Sequence, residues 1–124
     1  MSFTTNPRIA TTLFAIVIFF FGLNHLIIPN VIVEWVPAFF PAPMFWVYFT
    51  GILQILAAIA FMLHKQVKLA GYLLAAMIVI IALFVHLSSM FHAASQKEQM
   101  IEVIFLGKDI ALAAAAFYIG SKNE

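Results

Sequence analysis

Residues 105–120 read FLGKDIALAAAAFYIG, and they place a lysine and an aspartate, Lys108 and Asp109, side by side in an otherwise apolar and small-residue run. Whether that run crosses a bilayer decides the fold. The chain has 124 residues, of which 65% are hydrophobic and 9% charged, against roughly 25% charged in an average soluble domain. Its mean hydropathy is strongly positive. A bilayer core about 30 Å thick takes about 20 apolar residues per helix, and residues 9–28, 44–63, 69–91 and 101–119 each supply such a stretch. The sequence therefore predicts an all-α integral membrane four-helix bundle, a single domain over residues 1–124, with little chain outside the membrane.

The first apolar stretch runs into GLNHLIIPNV with no small-residue cleavage pattern, so it reads as a retained helix and not as a secretory signal. A net charge of +1 without a basic cluster argues against a nucleic-acid partner. The absence of cysteine excludes disulfides, thiol relays, iron–sulfur clusters and cysteine zinc sites. No other metal-ligand set is apparent, nor any nucleophile–base constellation, so no catalytic residue is assigned.

Lys and Arg fall unevenly on the two ends of the helices. Arg8, Lys65, Lys68 and Lys122 gather at one end and Lys97 stands at the other, which places both termini in the cytoplasm by the positive-inside rule. A multi-pass protein of the cell inner membrane is the expected localisation. The outer connector between helices one and two, PNVIVEWVPAFFPAP at 29–43, carries four prolines that forbid one long helix. Glu34, Trp35, Trp46 and Tyr48 in and after it suit either an aromatic anchor at the interface or a lid over a site between the helices.

Charges inside a membrane helix are costly and are by default a functional-site hypothesis. Adjacent helical residues diverge by about 100° and do not face each other, so Lys108 and Asp109 are each expected to find partners on other helices. At the rise of an α-helix, these two, with His86, Gln54, Thr50, His25 and Asn24, all fall in the outer half of their helices. Gln54 shares its helical face with Thr50, Gly51, Ala57 and Ala58, and Asp109 shares its own with Ala113 and Ala116. Small residues mark the close-packed side of membrane helices, so the seven polar residues are expected to look at one another across an outward-opening pocket. The competing reading is that such groups hydrogen-bond their neighbours and fix packing. His25 and His86 lie at comparable depths, the minimum for bis-histidine haem ligation, but a lone pair of histidines is a weak haem signature and a hydrogen-bonded network is the preferred reading.

The stretch FGLNHLIIPNVIVEWVPAFFPAPMFWVYFTGILQILAAIAFML resembles the DoxX-like family of small four-helix membrane proteins. The residues that carry the resemblance are Gly22, His25, Pro29, Pro37, Pro41, Tyr48, Thr50, Gly51 and Gln54. Length and layout fit along the whole chain, and the motif covers about residues 20–63. At Gln54 relatives of this type usually carry Glu, and a glutamine cannot release a proton. The resemblance implies a subunit or accessory of a quinone-linked membrane redox system, with electrons coming from a redox partner protein because the chain holds no cofactor of its own. Lys108, His86, Gln54 and Asp109 would address a quinone head group, and the Phe-rich helices its tail. The alternative is a non-catalytic assembly, chaperone or lipid-binding protein of the bilayer. Proton-coupled export is disfavoured by the acid-free first helix, and it would require a homo-oligomer.

Overall fold

A computed structural model describes residues 6–122, and among them there is no β-strand. Helix α1 spans Pro7–Ile27, α2 spans Pro29–Ile32, a 3-10 turn covers Val33–Trp35, and α3 spans Pro43–Leu63. Helix α4 spans Val67–Ile81 and continues through a π-helical stretch, Ala82–Leu87, into the short α5 at Ser88–Phe91. Helix α6 spans Gln96–Lys122. Three segments are long and apolar enough to cross a membrane, Pro7–Ile27, Pro43–Leu63 and Val67–Phe91, and they coincide with the first three stretches expected from hydropathy.

The ends of the helices follow from local chemistry. Asn6 accepts the Arg8 backbone N–H through its side chain at 3.0 Å, with Pro7 in the first turn, where a missing N–H costs nothing. Pro43 likewise opens α3. Between α3 and α4, His64 and Gln66 take left-handed backbone conformations and turn the chain within three residues. Helix α6 begins at 96, not at 101, because of a capping pair. The Ser95 hydroxyl accepts from the Glu98 N–H at 3.1 Å, and the Glu98 carboxylate accepts from the Ala94 N–H at 3.0 Å, a serine–glutamate exchange that satisfies amides left over at a helix start.

The long helices pack in antiparallel pairs around one core. Helix α1 lies on α3, with the Phe14 ring 6.0 Å from the Phe61 ring near one end and Gly22 against Gly51 near the other. A Cβ on Gly22 would come within 2.7 Å of the Gly51 carbonyl, so two backbones meet where only hydrogens fit. Helix α4 lies on α6 in the same way, and a Cβ on Gly71 would sit 2.7 Å from the Ala116 carbonyl and from the Gly120 nitrogen. Small residues at the contacts allow this close approach, as they do between membrane helices. Ala15, Ile18, Ala58, Leu74, Ala75 and Ala116 share the buried core, whereas Leu56, Leu73 and Phe117 point outward.

Candidate functional site

Within the π-helical stretch stands His86, buried at 8% exposure. The wider turn explains its direction. Ile78, Ala82 and His86 are all buried at four-residue spacing, and at 100° per residue His86 would have drifted about 80° from Ile78. A π-turn takes more residues per revolution, so the drift shrinks and the imidazole stays on the α6 side. Such stretches are uncommon and cluster at functional sites.

Both ring nitrogens of His86 meet carboxylates of α6. Nδ1 is 2.9 Å from Glu102 Oε2 and Nε2 is 3.3 Å from Asp109 Oδ2. A neutral imidazole has one donor and one acceptor, while two ionised carboxylates offer only acceptors. For both contacts to be hydrogen bonds, the set needs one proton more than a neutral ring between two carboxylates, on the ring or on one acid. With that proton on the ring and Lys108 charged, the four groups cancel in net charge. Glu102 and Asp109 are seven residues apart, two turns, and so share one face of α6.

Lys108 departs from the sequence expectation. Its Nζ lies 3.4 Å from Asp109 Oδ1, so the neighbours do pair with each other. Their Cα–Cβ bonds diverge, but four flexible methylenes let the ammonium fold back. The side chain is 41% exposed while that of Asp109 is 9% exposed. The same ammonium sits 5.0 Å from the Phe21 ring centre on α1 and 5.1 Å from that of Phe105, within cation–π range. It thereby ties α1 to the α4–α6 pair.

The other expected site residues are divided between local bonds and a second location. Thr50 returns its hydroxyl to the Trp46 carbonyl at 2.8 Å and the Val47 carbonyl at 3.1 Å. His25 is placed with Nδ1 2.7 Å from the Phe21 carbonyl, and its Cβ lies where a Cβ on Gly51 would clash. Asn24 is exposed. Gln54 is buried in α3, and its Oε1 finds no hydrogen-bond partner among the described residues. The structure thus brings together His86, Asp109 and Lys108, and leaves Gln54, His25 and Thr50 on the α1–α3 side.

The segment between α1 and α3 reaches the network through aromatic rings. Trp35 lies 5.9 Å from Phe105, whose ring is 5.3 Å from His86. Phe40 meets Phe84 of the π-stretch edge-on at 5.9 Å. Trp46 instead donates its indole N–H to the Pro41 carbonyl at 2.9 Å, while Glu34 and Tyr48 are exposed. Two cavities, of about 940 and 200 Å³, lie elsewhere, between α4 and α6 and between α3 and α4. Among the described residues no group of three or more His, Cys, Asp and Glu is placed to hold a metal ion; Glu102 and Asp109 address opposite ring nitrogens and do not converge.

Sequence reasoning missed Glu102. The available signal was its two-turn spacing from Asp109, but it is the second residue of the expected 101–119 stretch, and an acid at a helix start is ordinary.

What the fold and network define is an all-helical protein with three helices of membrane-crossing length and a largely buried ion network between α4 and α6. Residues 14–119 match the family described as Domain of unknown function (DUF8561), and the chain belongs to that family. No curated protein and no solved structure matches the chain.

Proposed function

We propose that this chain is a DoxX-like, four-span subunit or accessory of a quinone-linked membrane redox system, in which the Glu102–His86–Asp109–Lys108 network handles protons beside a small lipophilic ligand. Helix α6 is the fourth span in this reading, the lysine-rich end faces the cytoplasm, and the segment between α1 and α3 covers the outer side. The observation that carries the proposal is the imidazole with a carboxylate on each nitrogen. Such a ring can take a proton at one nitrogen and release one from the other, and quinone reduction consumes protons as well as electrons. Lys108, half exposed toward α1, is the group able to donate to a carbonyl oxygen of the ligand. Electrons come from a partner protein.

A second reading, a non-catalytic assembly or lipid-binding protein, is favoured by one feature: the network is packed against Phe105 and Phe21, and none of its four residues lines either cavity described above. Mass spectrometry of the organic extract separates the two. Protein purified in mild detergent should carry quinone stoichiometric with the chain, and the Lys108→Met variant should lose it. Phospholipid alone in both samples would remove the redox reading and leave the network as a packing or assembly device.

A further inference from the structure

The larger cavity runs along the α4–α6 pair from Ile80 and Ile110, the residue after Asp109, to Tyr72 and Ser121 at the end away from the ion network, and serves no part of the function proposed above. It is an open groove of about 940 Å³, lined by Tyr72, Ala76, Val79, Ala114, Phe117 and Tyr118 among others. Alanines facing outward on both helices make it, because each removes a side chain that would otherwise fill the furrow between two rods. Its walls are almost wholly apolar, with tyrosines on both helices at one end.

That end is basic. Lys68 lies one turn before Tyr72 and Lys122 one turn after Tyr118, and helical residues four apart stack on one face. The two helices are in contact there, since a Cβ on Gly120 would meet the Lys68 carbonyl at 3.1 Å. Lys122 Nζ lies 5.5 Å from the Tyr118 ring centre, so its ammonium folds toward the groove mouth. Both lysines are exposed, and Ser121, whose hydroxyl donates to the Tyr118 carbonyl at 2.8 Å, lines the groove next to Lys122 in the chain. Apolar walls, an amphipathic aromatic rim and two cations in that order match an acyl chain, a glycerol region and an anionic head group.

We propose that the α4–α6 groove is a binding site for one anionic phospholipid, its acyl chain lying along Ala76, Val79 and Ala114 and its phosphate held between Lys68 and Lys122. A cation near an anionic lipid surface contributes about fivefold in affinity, so the lysine pair supplies about 30-fold preference for an anionic over a zwitterionic lipid. The tail alone gives no such preference.

Native mass spectrometry of the full chain, released from detergent with phosphatidylglycerol or phosphatidylcholine of identical acyl chains, reads lipid adducts and oligomeric state together. Phosphatidylglycerol should be retained about 30-fold better by the native chain. Lys68→Gln with Lys122→Gln should bring the two lipids to within about twofold, and Ala114→Trp, at an exposed lining position, should exclude both while circular dichroism keeps its helical signal. Equal retention of both lipids by the native chain overturns the proposal, as does a preference that survives the double lysine change. Lipid adducts undiminished in Ala114→Trp place the lipid elsewhere and also overturn it. A homodimer in the native chain that Ala114→Trp dissolves would assign the groove to a second copy instead.

Discussion

The two helix pairs solve the same packing problem alike and the same polar problem oppositely. Helix α1 approaches α3 through Gly22 and Gly51, and α4 approaches α6 through Gly71 and Gly120. At the end of each contact a polar side chain is buried. On the α4–α6 side His86 has an acid on each nitrogen, while on the α1–α3 side Gln54 keeps an oxygen with no partner among the described residues. Close packing explains both helix pairs without explaining the difference. A network whose members are all engaged resists substitution, and an orphaned acceptor weakens the site it occupies. The α4–α6 pair should therefore be the one that fails when its polar group is removed, and the α1–α3 pair the one that gains.

His86→Leu is the largest test. It leaves Glu102 and Asp109 without the imidazole between them, and removing one partner of a buried ion pair costs about 3–5 kcal/mol. The double change His86→Leu with Glu102→Leu should cost less than the single one, because Asp109 keeps Lys108 at 3.4 Å. Reversible unfolding in mixed detergent micelles measures both. A double variant as unstable as the sum of its two singles would mean that the groups do not act as one network.

Next in size is a pair of glycines on α4 and α6. Gly71→Ala puts a Cβ 2.7 Å from backbone atoms of Ala116 and Gly120, which cannot swing aside as a side chain can. Overpacking of this kind costs about 1–3 kcal/mol. Gly107→Ala, where nothing lies within 4 Å, should instead stabilise by up to about 1 kcal/mol through helix propensity. The same unfolding measurement ranks the two. Equal effects would show that α4 and α6 are not in backbone contact.

Much of this was legible in the chain, and the losses have physical reasons. Length and apolarity located the first three helices, since lipid admits few other backbones. Polar exceptions within apolar runs pointed to His86, Lys108 and Asp109, because nothing else accounts for a charge there. What failed was the assumption that every polar residue at one depth joins one cluster. Thr50 and His25 have carbonyls of their own preceding turn within reach, and a local acceptor needs no partner helix. Glu102 was hidden by lying near a helix start, where acids are ordinary. The π-stretch left no mark in the residue pattern, because it is a change in hydrogen-bond register and not in composition.

The smallest expected effect tests the weaker pair. Gln54→Leu removes the oxygen that has no donor among the described residues and fills much the same volume with methyl groups. Since a buried, unsatisfied polar group costs about 1–3 kcal/mol, and part of that is offset by repacking against the α1 backbone at Gly22, a gain of about 1 kcal/mol is expected. Gln54→Glu should go the other way, since it adds a buried charge where no ion pair is formed among the described residues. If Gln54→Leu destabilises the fold instead, the amide oxygen has a partner, and the contrast between the two helix pairs disappears. If it stabilises as expected but also lowers quinone retention, the glutamine is kept for the ligand and not for the helix contact, and the α1–α3 side belongs to the same site as the network.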